Sequence, residues 1–430
     1  MHAVVVSSEA RKALVDSDQI IVVMTATLSA MQKLNVGSMQ QKECPLNVCC
    51  SSFGHRGTTA EFCGDNCQKD SGNCEEHPNP PKGASPIPVL KNKVIGYYQS
   101  WAERRSCHTF PPDSIPVEGL THLNYAFAYI DPDSLEVTVM DDQTPECSFS
   151  RTTDIKNTRS RNSELQIFAS LGGWTFSDND TATQPVFSDI AADAGKGLKF
   201  ANNLLSFMVH YGFDGVDLDW EYPGAGDRGG NKDDVKNYVL LMKTIREKFD
   251  SSARVNYELS FTIPTSYWYL RWFDVPGLLK YADWVNMMSY DLHGVWDQNN
   301  PIGNKVHPHT NLTEIKSASG LLWRNDVAPS KVVIGIGFYG RSFHLKDKNC
   351  TTPGCDFHGD AQKGDCTKSS GTLATSSRRN TKNVTYDHDA AVKWITYGDG
   401  LDNWVSYDDA KTLKQKVDYA DEVGLGGLMI

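Results

Sequence analysis

A chain of 430 residues, 40% of them hydrophobic, is long enough to bury one large core, and this composition excludes collagenous and disordered classes. A formal charge of −11 argues against nucleic acid or an anionic membrane as a partner and leaves neutral ligands. No run approaches the roughly 20 apolar residues that span a bilayer, and Ile20 to Met24 is far too short.

In chain order, residues 1–43 show no strong periodicity and read as an undefined leader. A secretory signal peptide needs a basic start, an apolar stretch and a small-residue cleavage site, whereas Asp16 and Asp18 sit just before the apolar run, so no clear signal is legible. Cys44, Cys49, Cys50, Cys63, Cys67 and Cys74 then crowd one short segment, while Cys107, Cys147, Cys350, Cys355 and Cys366 are spread out. Such crowding predicts a disulfide-stapled extracellular module over residues 44–76. A zinc site is the competing reading, weakened because no CxxC pair is present. Sequons at Asn179, Asn311, Asn349 and Asn383 agree with secretion. Residues 77–91 hold five prolines and predict a stiff, extended linker.

From residue 92 to 430 short apolar runs alternate with helix-length stretches: VIGYY, LTHLNYAFAYI, LQIFASLGGW, GFDGVDLDW, YELSFTIP, ADWVNMMSY, KVVIGIGF and LGGLMI. Runs buried on both faces and separated in this way predict parallel strands with crossover helices. One such helix is predicted over Val235 to Phe249. Eight βα units give an α/β fold, a closed (β/α)8 TIM barrel with catalytic residues at the C-terminal strand ends. An open doubly wound sheet is the runner-up, but no GxGxxG follows the first run. The long interval after Phe338, with three cysteines, predicts an insertion after strand 7.

DGVDLDWEYPG, Asp214 to Gly224, concentrates four acids beside core residues. In a strand, side chains alternate, so Asp217, Asp219 and Glu221 share one face while Val216, Leu218 and Trp220 share the other. The apolar set packs outward on helices and the acids point into the barrel, Glu221 nearest the mouth. Neighbours on one face lie roughly 6–7 Å apart, so each charge raises the pKa of the next and one carboxyl stays protonated as a general acid must. A solvated tip and a divalent metal site are the rival readings; no histidine accompanies the row, and no metal is expected.

This stretch resembles the DxxDxDxE signature of glycoside hydrolase family 18, the chitinases. SLGGW at Ser170 to Trp174, NMMSYDLHG at Asn286 to Gly294 and YGRSF at Tyr339 to Phe343 support it, and DNWVSYDD is similar to fungal members that carry hevein-like modules. The resemblance implies retaining hydrolysis of β-1,4-linked N-acetylglucosamine polymers, assisted by the substrate's acetamido group, with no cofactor. It assigns proton donation to Glu221, orientation of the acetamido NH to Asp219, proton sharing behind it to Asp217, and a hydrogen bond to the acetamido oxygen to Tyr290. Asp291 and Arg341 would hold the sugar; Asp214 would be structural. Tyr97, Trp101, Phe127, Gly173, Trp174, Tyr222, Met288 and Tyr339 complete the expected substrate contacts, with Phe127 ending the second strand. Partners would be chitin and its oligosaccharides, bound by a monomer. A binding-only lectin-like relative and an endo-β-N-acetylglucosaminidase are the alternatives; the first typically replaces the terminal Glu.

CPLNVCCSSFG with FCGDNC resembles a hevein-like chitin-binding domain, which implies Ser51, Phe53, His55 and Phe62 as ligand contacts. The analogy pairs Cys49 with Cys63 and Cys67 with Cys74. It leaves Cys44 and Cys50 without partners, because Arg56 replaces a family cysteine, and predicts a degenerate module. The family's last barrel helix falls beyond Ile430, so the barrel is expected without it.

Overall fold

The computed structural model describes residues 44–430 apart from 53–54, 66, 106, 108, 158–161, 253–255, 365 and 375–381. The described residues form two compact units: the segment up to His77 with Gln298–Gly303, and Pro78–Asp297 with Asn304–Ile430.

The small unit has a two-residue antiparallel pairing, Cys49–Cys50 with Arg56–Gly57, and a single helical turn, Ala60–Cys63. So little secondary structure cannot enclose an apolar core, and disulfides supply the restraint. Cys49–Cys63 and Cys67–Cys74 are bonded as the resemblance implied. The expectation that Cys44 and Cys50 lack partners is overturned, since they bond to each other. Cys44 N donates to Ser71 O and Gln68 N to Cys50 O, which folds both cysteines against the same turn. Neither spacing nor analogy could specify that pairing.

The large unit is a closed barrel of eight parallel strands: β1 Lys93–Gln99, β2 His122–Ile130, β3 Gln166–Gly172, β4 Gly215–Asp219, β5 Glu258–Pro264, β6 Trp284–Met288, β7 Val332–Gly335 and β8 Gly427–Met429. Each pairs with the next, and β8 pairs in parallel with β1 to close the ring. Ile430 extends that seam, its N–H donating to Ile95 O and its carbonyl accepting from Tyr97 N. Ile95, Phe168, Trp284, Val333 and Met429 project inward and fill the lower barrel with one apolar cluster. Val216, Leu218 and Trp220 are buried on the outer side. Trp220 stacks on Phe187 and meets Tyr238 edge-on.

The crossovers are unequal. β1 and β2 are joined by 3-10 turns such as Pro112–Ser114 and Val117–Gly119. Long helices follow later strands: α1 Ala194–Tyr211, α2 Asp234–Asp250, which includes the predicted Val235 to Phe249, and α3 Leu312–Trp323. Asp193 caps α1 by accepting from Gly195 N and Lys196 N, and Gly212 ends it in the left-handed region.

The predicted insertion after β7 is an antiparallel sheet running Phe357–Asp360, Tyr339–Leu345, Asn403–Tyr407, Val392–Tyr397 and Lys382–Asp387, with Thr372–Ala374 beside the second of these. Phe343, Phe357, Trp394 and Trp404 form its core. The chain then returns through α4, Ala410–Val423, whose buried Lys416 bonds to Asp408 and to Ala391 O.

Two boundaries differ from expectation. The proline-rich stretch is not a free spacer from Pro78 onward. Gly83 O accepts from Ser330 N, Ser85 N donates to Gly424 O, and Val89 N donates to Asp421 with Val89 fully buried. Composition read it as a stiff linker, and its buried valine and backbone bonds fix it as a strap on the barrel's base. Phe127 does not end β2, which continues to Ile130; the β2–β3 register shifts between Ala126 and Ala128, so Phe127 bulges there. Among the described residues no helix is long and apolar enough to cross a membrane.

Candidate active site

The parallel register sets the centre of the site. Asp217 on β4 lies level with Ser170 on β3 and Ser260 on β5. Its Oδ2 accepts from Tyr97 Oη at 2.8 Å and Ser170 Oγ at 2.7 Å, and its Oδ1 from Ser260 Oγ at 2.7 Å and Asn286 Nδ2 at 3.0 Å. Four donors converge on a fully buried group, the arrangement that an acceptor-only carboxylate satisfies. This polar layer sits directly above the apolar cluster.

Asp219 stands one step higher and is 3% exposed. It accepts a hydrogen bond from Thr262 Oγ1, while Asp217 below it accepts from Ser170 Oγ. Burial first, then the charges of Glu221 and Asp217, push its carboxyl well above the usual range, and the Thr262 bond only partly opposes them.

β4 ends at Asp219, so Glu221 lies beyond the strand, at the barrel's rim. It is still buried, and burial pushes its carboxyl up to about 7; the Tyr222 hydrogen bond and the Arg228 charge lower it, while Asp291 and Asp178 raise it. The peptide between Glu221 and Tyr222 is cis. Tyr222 is buried and stacks on Tyr269 with ring centroids 4.4 Å apart.

Across the mouth, Tyr290 is half-buried and packs with Tyr97 and Met288 on the inner cluster. Burial, reinforced by Asp219 and Asp291, keeps its phenol protonated far into alkaline pH, so it remains a donor. Asp291 follows in the left-handed region at φ 56°. Arg341 grips it with two bonds, Nε to Oδ1 at 2.7 Å and Nη2 to Oδ2 at 2.6 Å, and Tyr339 Oη adds a third at 2.6 Å. Burial opposes ionisation of Asp291, but the His309 and Arg341 bonds prevail and hold it below the ordinary carboxylate range. The two residues expected to hold a sugar therefore hold each other here.

Trp174 leaves the end of β3 and is 49% exposed. Gly173 precedes it at φ 84°, where a side chain would also strike the Phe127 ring at 2.8 Å. Phe127 and Tyr339 are half-buried. Trp101 is half-buried in the turn after β1.

In the small unit Ser51 is buried, its Oγ accepting from His55 N at 3.2 Å. His55 is exposed, and Phe62 lies half-buried over Gly57, whose added Cβ would meet its ring. Phe53 lies outside the described residues. Among the described residues no group of three His, Cys, Asp or Glu is arranged to hold a metal ion.

Sequence reasoning missed Ser260, Thr262 and Asn286, the donors to the acids, and Arg228. Alternation within YELSFTIP, with Ser260 and Thr262 at every second position of an otherwise apolar strand, was the available signal for the first two; Asn286 stands singly before two methionines and gives no such pattern.

Residues 93–430 match the model of glycosyl hydrolases family 18, and residues 36–74 match that of the chitin recognition protein. The secreted chitinase LysM12 of Penicillium expansum is 31% identical over 419 residues, 89% of this chain and 26% of that one. The chain spans about a quarter to a third of the length of the curated relatives it matches first. Among solved structures, the Ostrinia furnacalis group IV chitinase in complex with allosamidin superposes with a TM-score of 0.67 at 28% identity, covering 79% of this chain and 91% of the other. Human YKL-39, described as a pseudo-chitinase with retained chitooligosaccharide binding, gives 0.68 at 26%, covering 79% and 92%. The barrel, the row of acids on β4 and the family match agree, and the chain belongs to glycosyl hydrolase family 18.

Proposed function

We propose that the chain is a secreted, monomeric chitinase, hydrolysing β-1,4-N-acetylglucosamine linkages with retention and with the substrate's own acetamido group as nucleophile. One observation carries the reading: Glu221 is buried at the rim beside the exposed Trp174 ring, where burial pushes its carboxyl up to about 7 and lets it both hold and release a proton near neutral pH. Glu221 gives that proton to the glycosidic oxygen as the C1–O bond breaks. The acetamido oxygen bonds to C1 and forms an oxazolinium ion. Asp219 accepts from the acetamido NH and Tyr290 donates to its oxygen, which fixes the nucleophile beneath C1. Water then attacks C1 from the face that the leaving group vacated, Glu221 takes its proton, and the ring reopens with retained configuration. Asp217 anchors the row from below. Asp291 and Arg341 would exchange part of their mutual pairing for sugar hydroxyls, with Trp174, Tyr97, Phe127, Tyr222, Tyr339 and Met288 shaping the cleft. The small module would bind chitin through His55 and Phe62.

The binding-only reading draws on the likeness to YKL-39, and the presence of Glu221 favours catalysis over it. The test is release of soluble oligosaccharides from chitin by wild type and by Glu221→Gln. Wild type is expected to release them as β-anomers, followed by proton NMR, and the variant to bind chitin with turnover reduced by about 10²–10⁴-fold. Binding without cleavage by either protein would sink the enzyme reading, and α-anomeric products would sink the acetamido route.

A further inference from the structure

The turn Gly226–Arg228 lies just past Glu221, and its two charged residues reach opposite ways. Asp227 accepts from Tyr269 Oη at 2.7 Å, and Tyr269 is the ring stacked on Tyr222. Arg228 turns to the other wall. It is 8% exposed, and its whole guanidinium is engaged. Nε donates to the Glu221 carbonyl oxygen at 3.1 Å, Nη1 to Asp178 Oδ1 at 3.1 Å, and Nη2 to the Trp174 carbonyl oxygen. Its Cζ lies 3.8 Å from the centroid of the Trp174 ring.

From this geometry we infer that Arg228 is a positioning residue, which locks the exposed Trp174 ring to the backbone of Glu221 so that sugar platform and acid are presented as one rigid piece. The inference rests on the reading of Glu221 as the acid. A planar fork can serve two carbonyls and a carboxylate with its carbon held over an indole; an ammonium cannot. The second consequence is electrostatic. The carboxyls of Asp219, Asp291 and Asp178 and the phenol of Tyr222 surround Glu221, and the Arg228 charge acts against them. Arg228 thus restrains the rise that burial imposes on Glu221, keeping the acid able to lose its proton and act as base in the second step.

Two variants separate these roles. Binding of the N-acetylglucosamine tetramer is followed by tryptophan fluorescence. Ionisation of Glu221 is followed by difference infrared spectroscopy, with Glu221→Gln identifying its band. Arg228→Gln is expected to weaken tetramer binding about threefold to tenfold and to move the Glu221 midpoint, and with it the alkaline limb of kcat/KM, to higher pH. Arg228→Lys is expected to hold the midpoint near that of wild type and still lose binding. An unmoved midpoint in Arg228→Gln, or tetramer binding by Arg228→Lys as tight as wild type, overturns the assignment. If circular dichroism shows Arg228→Gln unfolded, the lysine variant's binding decides. A midpoint that moves in a protein unable to cleave chitin would refute the chitinase reading and retain the positioning role.

Discussion

Two acidic corners share the rim of this barrel and have been driven in opposite directions. After β4, Asp219 and Glu221 are buried near one another and near Asp217, and their carboxyls rise. After β6, Asp291 is only partly withdrawn from water, and Arg341 and Tyr339 give it three hydrogen bonds, so it stays an anion. Burial opposes ionisation at both, so partners decide the sign. A rim with one corner that keeps protons and one that refuses them can donate a proton at the first and hold neutral, hydroxyl-rich ligands at the second.

The largest expected effect breaks the proton-holding corner. Glu221→Gln removes the titrating group while leaving its shape, and turnover on chitin should fall by about 10²–10⁴-fold with no loss of melting temperature at neutral pH. The anionic corner is broken by Arg341→Met, which leaves Asp291 charged and without its bidentate partner. Asp291 retains about a third of its side-chain exposure, so water screens the loss, and we expect about 1–2 kcal/mol of destabilisation in urea unfolding.

Acidity then sharpens the contrast. Glu221 titrates higher folded than unfolded, so the stability it contributes is present below its unfolded value of about 4.5 and lost as pH rises through about 7. Asp291 is the reverse: its contribution is present above the ordinary aspartate value and lost as pH falls through its depressed one. Unfolding measured from pH 3 to 9 should therefore show Glu221→Gln gaining on wild type on the alkaline side, by on the order of 3 kcal/mol. Asp291→Asn should lag wild type at neutral pH and begin to narrow the gap toward pH 3. Parallel curves for both variants would mean that the corners do not differ in ionisation.

What was legible in the sequence follows from which forces act along the chain and which act across it. The barrel, its insertion and the acid row are written in local patterns, since strand alternation places Val216, Leu218 and Trp220 outward and the acids inward. Ser170, Ser260 and Asn286 become partners of Asp217 only through the parallel register of separate strands, which no local window contains. Arg228 reads as an exposed loop residue in GAGDRGG; its burial comes from Trp174, which approaches from another crossover. The Cys44–Cys50 bond and the docking of Val89 under the barrel have the same origin, contacts that exist only once distant segments have packed.

The smallest effect probes how finely the proton-holding corner is set. Thr262 gives Asp219 a hydrogen bond that partly restrains its rise, and nothing comparable opposes the charges of Glu221 and Asp217. Thr262→Val keeps the volume and removes the donor, so Asp219 should bind its proton more tightly, and its ability to accept from an acetamido NH should fall. Because Glu221 and the aromatic rings are untouched, kcat should drop about tenfold, the value of one neutral hydrogen bond of roughly 1.4 kcal/mol, with KM for the tetramer little changed. Thr262→Ser restores the hydroxyl and should recover most of the rate. If valine and serine variants were equally slow, the defect would lie in packing beside Asn286 on β6, and the separation of the two corners by hydrogen-bond partners would lose its support at this residue.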